Sequence, residues 1–373
     1  MRKKVIHKTV LLACLLAGLL FMQCDQEPLF WVIANEYPPE PPIIGGAPSK
    51  IVAIIGSPSP WEGKLYIANR DSVWEYATAT KLWRLLPSQP SGKTKDLAVA
   101  DNKLFALGMD NKIRMYDGTN WNTEITVPGG TTIEKIFGVD TWLFAGVKSS
   151  TGDYSILSLS VPAGVPSSTW TPLTGPDALL MGVARKGLND YYLGTLGDGL
   201  YSSNGSTASA VAGFEDEEII GLAVHGSDLF TVHPKKIRRM GVTAPIAIGN
   251  FTGAITVWNA SNDPLLGDPL LLVGLLRSSG SFGYGYREIV ISDPAKGLLN
   301  PGRDDIAFST SVKRGSQYIS AIGKHVVYHL WVLEDSTADD EGRPIIFAST
   351  SKEGLWSYRK RGTEPQWNGE NND

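Results

Sequence analysis

The sequence predicts an all-β fold: a β-propeller of seven blades, each a sheet of four antiparallel strands. Short apolar strands alternate with polar turns rich in Gly, Pro, Asp and Asn. This pattern recurs with a spacing that averages 47 residues between Val73 and Leu355, which is within the range of propeller repeats. Outside the N-terminal apolar run, no window has a sustained period of 3.6 with capping residues, so almost no helix is expected.

Residues 101–126 are the clearest copy of the repeating unit. Residues 104–107 are apolar on both strand faces, as in a strand buried between two layers. In the next strand Ile113 faces one way and Arg114 the other, which predicts that Arg114 faces solvent. Residues 95–100 supply one more strand. Four short strands in about 40 residues match one propeller blade.

The third strand of the unit is the easiest to align along the chain. Seven copies predict seven blades, although the last interval, from Ile289 to Leu355, is 66 residues long. Eight blades or one large insertion therefore stay open. A sandwich of sheets is the competing fold, but the doubly apolar second strands favour radial packing of blades. The third-strand copies begin at Ser72, Lys112, Tyr154, Gly199, Lys236, Arg287 and Gly354.

The N-terminus has the form of a secretory signal. Arg2, Lys3, Lys4 and Lys8 precede an apolar run at 10–22, which is shorter than the roughly 20 residues of a membrane-spanning helix. A buried core helix is the alternative. The predicted organisation is a signal peptide at 1–23, a Pro-rich linker at 24–48 and a propeller domain at 49–373.

Cys24 ends the apolar run, and the stretch Phe-Met-Gln-Cys at 21–24 resembles the lipobox of bacterial lipoproteins. The resemblance implies that Cys24 is lipidated and becomes the first residue of a mature protein anchored in the cell envelope. Gln23 departs from the family pattern, which has a small residue there. Cys14 follows Ala13 and fits that rule better, but its lipidation would leave an apolar mature N-terminus. An ordinary cleaved signal, which would give a secreted protein, is the other alternative.

The linker contains a Pro-rich stretch at 36–42, which predicts an extended, semi-rigid spacer. Residues 29–34 are too apolar for a free linker, so we expect them to dock on the propeller as an edge strand or to contact lipid. The ring can therefore close in two ways. Either residues 362–368 form the outer strand of the last blade, or residues 29–34 take that place.

The charge balance argues against a nucleic-acid partner. The formal net charge is −4, and removal of residues 1–23 changes it to −8, with 30 basic and 38 acidic residues. The basic footprint of a nucleic-acid-binding protein is missing. Cys14 and Cys24 are the only cysteines, so a mature chain anchored through Cys24 has no disulfide and depends on core packing.

No pattern predicts a catalytic centre, a metal site or a cofactor. Ser-Gly-Lys-Thr at 91–94 lacks the preceding Gly and the following helix of a phosphate-binding loop. His325 and His329 fall on one face of a predicted strand, but tetrahedral zinc needs more ligands, so packed histidines are expected. The acidic runs at 215–218 and 334–341 lack the ligand order of a calcium loop and are interpreted as solvated turns.

The turns between the second and third strands recur at the same place in each unit. In a propeller they gather on one face around the central channel, and a ring of mixed charges there is a reasonable docking surface. The alternative is turn chemistry alone, because Asp and Asn favour turns. The candidate binding residues are Arg70, Asp71, Asp110, Asn111, Asp198, His233, Lys235, Lys352 and Glu353.

The Gly-Leu-aromatic third strands at 199–201 and 354–356 resemble those of several bacterial propeller families. Anchor and fold together resemble the propeller lipoprotein of outer-membrane barrel assembly. These resemblances imply a membrane-anchored interaction or scaffold module that binds another envelope protein, without enzymatic activity or cofactor. The alternatives are a propeller enzyme or lectin acting on glycans or a small molecule, and a structural envelope protein without a specific ligand.

Overall fold

A computed structural model provides the structure of the propeller region. Statements about structure refer to the residues it describes. These are residues 42–54, 64–77, 80–167, 169–243, 245–248, 251–258, 269–277, 285–291, 322, 325–333, 345–350, 353–361 and 364–370. Both cysteines, the apolar stretch 29–34, the acidic run 334–341 and Lys352 lie outside the described residues.

The described strands form seven antiparallel sheets, which confirms the prediction of a seven-bladed β-propeller. Blade 1 consists of β1 (Val52–Ile54), β2 (Lys64–Asn69), β3 (Ser72–Ala77) and β4 (Leu82–Leu85). Blade 2 consists of β5 (Thr94–Ala100), β6 (Lys103–Gly108), β7 (Ile113–Tyr116) and β8 (Trp121–Ile125). Blade 3 consists of β9 (Thr131–Val139), β10 (Trp142–Ser149), β11 (Tyr154–Ser160) and β12 (Thr171–Pro172).

The remaining four blades continue in chain order. Blade 4 consists of β13 (Leu179–Gly187), β14 (Asp190–Leu196), β15 (Leu200–Ser203) and β16 (Ala208–Ala210). Blade 5 consists of β17 (Gly221–His225), β18 (Asp228–His233), β19 (Lys236–Arg239) and β20 (Ile246–Ala247). Three described strands form blade 6: β21 (Phe251–Trp258), β22 (Leu270–Arg277) and β23 (Gly285–Val290). Blade 7 consists of β24 (Val327–Leu333), β25 (Ile345–Thr350), β26 (Leu355–Arg361) and β27 (Glu364–Gly369).

Radial packing is explained by where the apolar side chains lie. The described core divides into seven clusters, and each cluster fills the space between two neighbouring blades. Phe105 of blade 2 packs with Leu143 of blade 3, for example, and Phe230 of blade 5 with Leu271 of blade 6. A blade in the ring has a neighbour on each side, so its second strand is apolar on both faces.

Two-residue hairpin turns join the first and second strands of several blades. In the β5–β6 turn, Asp101 has φ 44° and Asn102 has φ 56°. Positive φ at both central residues defines a type I′ turn, whose twist suits antiparallel strands and which favours Asn and Asp. Turn chemistry therefore fixes the register in which Val99 pairs with Leu104.

The two ends of the described chain meet between blades 7 and 1. The backbone amide of Ile43 donates to Glu370 O (2.7 Å), and that of Leu355 donates to Ile44 O (2.9 Å). Ile44 is fully buried in the cluster between these blades. The outer strand of blade 7 is β27, so the structure takes the first of the two closures that the sequence left open. Part of the segment assigned to the linker, residues 42–48, packs on the ring.

The expectation that Arg114 faces solvent is wrong. Its side chain is 9% exposed and its guanidinium holds the Asp110 carboxylate, with Nη2–Oδ2 2.5 Å and Nη1–Oδ1 3.1 Å. Gly108 leaves room for this pair, because a Cβ there would lie 2.2 Å from Asp110 Oδ1. No helix in the described parts of the chain has the length and apolar character to cross a bilayer.

Candidate functional site: the central channel and its turn face

The first strand of each blade lies at the axis of the ring. These strands line a cavity of about 1350 Å³ to which all seven blades contribute. Such axial cavities collect side chains from distant parts of a sequence, and concave sites of this kind are where ligands bind. Its polar and charged lining residues include Lys50, Arg70, Lys95, Asp96, Asp101, Glu134, Lys135, Asp140, Tyr328 and His329.

An ion pair joins three blades at this axis. Lys50 Nζ lies 2.6 Å from both carboxylate oxygens of Asp96 and donates to Ile136 O at 2.7 Å. The backbone amides of Leu97 and Ile136 donate to the same carboxylate, at 2.9 and 3.2 Å. Burial lowers the pKa of Lys50, although the Asp96 charge opposes that shift. Lys50 and Asp96 therefore neutralise each other and fix the first three blades.

Lys135 is the second ammonium in the cavity, and it has a different environment. Its Nζ contacts Met181 Sδ at 3.4 Å, and thioether sulfur is a weak acceptor. Burial is the main cause that lowers the pKa of Lys135; the Asp96 charge acts against this, whereas Lys50 and Lys95 add to it. No other side-chain hydrogen bond to Lys135 is present among the described residues.

His329 lies on β24, on the blade 7 side of the cavity. Burial, assisted by the charges of Lys50 and Lys135, lowers its pKa to about 3, so the imidazole is neutral at pH 7. His325, predicted to share its strand face, precedes β24 and packs against Trp356 in a tilted contact with a ring-centroid distance of 4.7 Å. The β24–β25 register shifts between Val327 and His329, which changes the alternation of side chains.

The turns between second and third strands gather on one face, which we call the turn face. It carries the described residues 70–71, 109–112, 150–153, 197–199, 234–235 and 353–354. The turn of blade 1 lies against the chain that enters blade 2, because Thr94 N donates to Arg70 O (2.9 Å). In the turn of blade 2, Met109 N donates to Lys93 O (2.7 Å), in the chain that enters the same blade. The geometric part of the sequence argument is therefore reproduced, whereas the binding role of these residues stays a prediction.

On blades 1 and 2, contacts hold the predicted residues in place. Arg70 is exposed and lines the channel mouth. Asp71 lies 3.4 Å from Lys93 Nζ, and both side chains are mostly exposed. The hydrogen bond from Arg114 is the main cause that lowers the pKa of Asp110. Asn111 donates to Thr131 O at 2.8 Å, so it links its turn to blade 3.

On blade 4 two hydrogen bonds hold the carboxylate of the predicted residue Asp198 in place. Asp198 accepts from Tyr201 Oη at 2.7 Å and from the Asp177 amide at 3.0 Å. On blade 7 Glu353 is exposed, and its amide donates to Thr350 Oγ1 at 3.1 Å. These contacts orient the turns relative to the cavity.

On blade 5, the structure buries His233 instead of presenting it on the face. Its Nδ1 lies 2.8 Å from Glu217 Oε2, and its Nε2 lies 2.8 Å from Thr231 Oγ1. Burial lowers the pKa of His233 to about 4 against the opposing charge of Glu217. Glu217 also pairs with Lys236 and Arg238, so this member of the acidic run 215–218 belongs to an ion-pair network. Lys235 lies in the adjacent turn.

The opposite mouth of the channel is acidic. Asp101 and Asp140 line it, and Asp140 pairs with Arg185 at 2.6 Å. Sequence reasoning aligned the third strands and gave no role to Lys50, which precedes β1, or to Asp96 and Lys135 on the first strands β5 and β9. A carboxylate next to the apolar end of a first strand, such as Asp96 before 97–100, is the signal that was available.

Comparisons with known proteins establish the fold class and no family. No protein-family model and no curated protein matches the chain. Solved structures do. The WD40 β-propeller domain of Doa1 has a TM-score of 0.53 and 12% identity over 88% of this chain and 96% of that one. YCF48, solved bound to the D1 peptide, has a TM-score of 0.52 and 10% identity over 88% of this chain and 98% of that one. BBS1N, solved in complex with ARL6DN, has a TM-score of 0.50 and 14% identity over 86% of this chain and 99% of that one.

Proposed function

We propose that this β-propeller is a protein-interaction module that binds its partner on the turn face. One observation carries the proposal: the turn face holds a pre-oriented array of charges with apolar side chains among them. Met109 and Leu196 are 54% and 42% exposed there, beside turns that the contacts of Asp110 and Asp198 fix. Fixed polar groups around exposed apolar anchors suit protein recognition, because less conformational freedom is lost on binding.

The fold is compatible with this role. YCF48 shares the fold and was solved with a peptide bound. A propeller enzyme acting on glycans or a small molecule, one of the alternatives, would need a free acid or base in the channel for catalysis. The Asp96 carboxylate of the lining does not fill that role, because Lys50 and two backbone amides hold it.

A charge reversal on the turn face tests the proposal against a matched control. Asp71 on the turn face is 73% exposed, and Asp117 in the β7–β8 turn is also exposed but lies at the opposite end of its blade. We expect Asp71→Lys to reduce co-purification of the partner from source membranes by at least about tenfold, a loss of roughly 1.4 kcal/mol. Asp117→Lys should leave it unchanged. Equal recovery with both variants would contradict binding on this face.

We also propose that Cys24 anchors the protein by a lipid in a bacterial envelope membrane. The basic n-region, the apolar run and the position of Cys24 support this. Metabolic labelling with an alkyne fatty acid should label the wild type and Cys14→Ser, and the label should be lost in Cys24→Ser. Label that persists in Cys24→Ser, or no label in the wild type, would contradict the anchor.

A further inference from the structure

The cavity lining holds a partly buried ammonium group that has no carboxylate partner among the described residues. The lining as a whole is balanced, with four basic residues (Lys50, Arg70, Lys95 and Lys135) and four acidic residues (Asp96, Asp101, Glu134 and Asp140). Both oxygens of Asp96 lie 2.6 Å from Lys50 Nζ, and Lys95 pairs with Glu134 at 2.9 Å. Asp140 pairs with Arg185, which is outside the lining, and Arg70 is exposed at the channel mouth. Lys135 is therefore the partly buried ammonium without an ion pair.

The groups in contact with Lys135 do not supply a counter-charge. His329 is neutral at pH 7 because burial lowers its pKa to about 3. Met181 Sδ, 3.4 Å from Lys135 Nζ, carries no charge, and an ammonium has three donors. A partly buried charge normally has a hydrogen-bonded counter-ion, since its desolvation is costly. An anion in the cavity would fill that role.

The volume and the walls of the cavity indicate the size and the chemical character of the anion that would fit it. A volume of about 1350 Å³ is far larger than an inorganic ion requires. Beyond the charged groups, the walls are largely apolar. Val99, Val183, Leu222, Ile255, Leu330 and Trp331 line it.

We propose that the central cavity binds a monocarboxylate with an apolar body. The carboxylate pairs with the Lys135 ammonium, and the apolar body packs against the walls formed by blades 4 to 7. A single carboxylate matches the single ammonium that has no ion-pair partner. A phosphate dianion usually binds an arginine fork or a helix N-terminus, and Arg70, the arginine of the described lining, is exposed at the channel mouth. This inference concerns the cavity and is independent of a partner on the turn face.

Calorimetric titration of the full-length protein with hexanoate tests the proposal, with the isosteric neutral hexanamide as the paired probe. We expect saturable hexanoate binding with a Kd below ~1 mM and hexanamide binding at least tenfold weaker. Lys135→Met should weaken hexanoate binding at least tenfold. The control Lys112→Met removes an exposed ammonium that pairs with Glu124 and should bind as the wild type does.

The proposal would be overturned if the wild type did not bind hexanoate, or if it bound hexanoate and hexanamide with equal affinity. It would also be overturned if Lys135→Met bound hexanoate as tightly as the wild type does. Inorganic phosphate is the competing anion, and displacement of hexanoate by phosphate at equal concentration would also count against it. If Lys135→Met does not fold, Lys135→Gln and Met181→Glu serve instead. Met181→Glu places a carboxylate beside Lys135 and should abolish hexanoate binding by supplying the missing counter-charge.

Discussion

Burial decides the protonation of single side chains at two places, one in the cavity and one beneath the turn face. His329 in the cavity and His233 beneath the turn face are both held neutral, with the pKa lowered to about 3 and about 4. The neutral His329 adds no charge beside Lys135, and Glu217 pairs with Lys236 and Arg238. The unfolded chain has no such restriction, so folding is linked to pH.

The sign of that linkage gives a first prediction. Below pH 6.5 the histidines of the unfolded chain bind protons that the folded histidines do not, so the free energy of unfolding falls as the pH falls. Each such proton contributes roughly 1.4 kcal/mol per pH unit once the unfolded form is protonated. Urea denaturation between pH 5 and 6.5 should show a shallower slope in His329→Gln, by about one proton, and shallower still when His233→Gln is added. An unchanged slope in both variants would contradict the buried neutral histidines.

Arg114 shows where a single-residue prediction fails. Alternation along residues 112–116 correctly separates the two faces of β7, but it cannot say what covers each face. In a ring the second face meets the neighbouring blade, and Asp110, with the space above Gly108, supplies a partner for the guanidinium. The pairing of Lys50 with Asp96 was likewise not predictable, because Lys50 precedes the first strand of blade 1 and Asp96 lies on the first strand of blade 2.

At the scale of the element, the innermost strands are shaped by how closely they approach at the axis. Gly138 in β9 lies against the backbone of blade 2, and a Cβ there would be 2.0 Å from Val99 O. Gly182 in β13 lies similarly near Leu222 of β17, where the corresponding distance to its amide nitrogen is 3.3 Å. Small residues at these positions let first strands converge and still leave a cavity between them.

The close approach of Gly138 to Val99 O predicts that Gly138→Ala destabilises the protein. A backbone oxygen cannot move aside as a flexible side chain can, so we expect a loss of about 1–3 kcal/mol in the free energy of unfolding. Gly129→Ala is the matched control, since a Cβ there meets nothing within 4 Å and should change stability by about 0.5 kcal/mol or less. Chemical denaturation of both variants measures the difference. Equal stability would mean that blades 2 and 3 are not so close at the axis.

The positions of most strands could be predicted from the sequence, because turns and apolar runs are local signals. The third strands and most second strands fall where the repeat places them, for example at β3 (Ser72–Ala77) and β25 (Ile345–Thr350). The side-chain alternation of β24 was not predictable, because the register shift beside His329 depends on pairing with β25. A bulge of this kind has no local sequence signature in this strand.

At the scale of the whole molecule, closure of the ring depends on a few residues before the first strand. Ile44 is fully buried between blades 7 and 1, and its carbonyl accepts from the Leu355 amide. The sequence left the closure and the number of blades open, because a repeat pattern does not specify which ends meet. In the structure β23 ends at Val290 and β24 begins at Val327, and the described residues form seven sheets and no eighth.

Ring closure predicts a contrast between two adjacent isoleucines. Ile44→Ala removes a buried side chain from the last interface and should lower the free energy of unfolding by about 2–5 kcal/mol. Ile43 is 38% exposed, so Ile43→Ala should cost about 1 kcal/mol or less. Thermal or urea unfolding of the pair distinguishes them. Similar losses in both variants would show that this segment does not close the ring.

Photo-crosslinking tests the central claim, that the turn face is the binding face, most directly. Met109 and Leu188 are both exposed apolar residues in turns, 54% and 83% exposed, but only Met109 lies on the turn face. A photoreactive amino acid is placed at one position or the other of the full-length protein in its source cells, before irradiation. The account predicts a discrete crosslinked partner from position 109 and none from position 188. Crosslinking from position 188 alone, or equally from both, would contradict it.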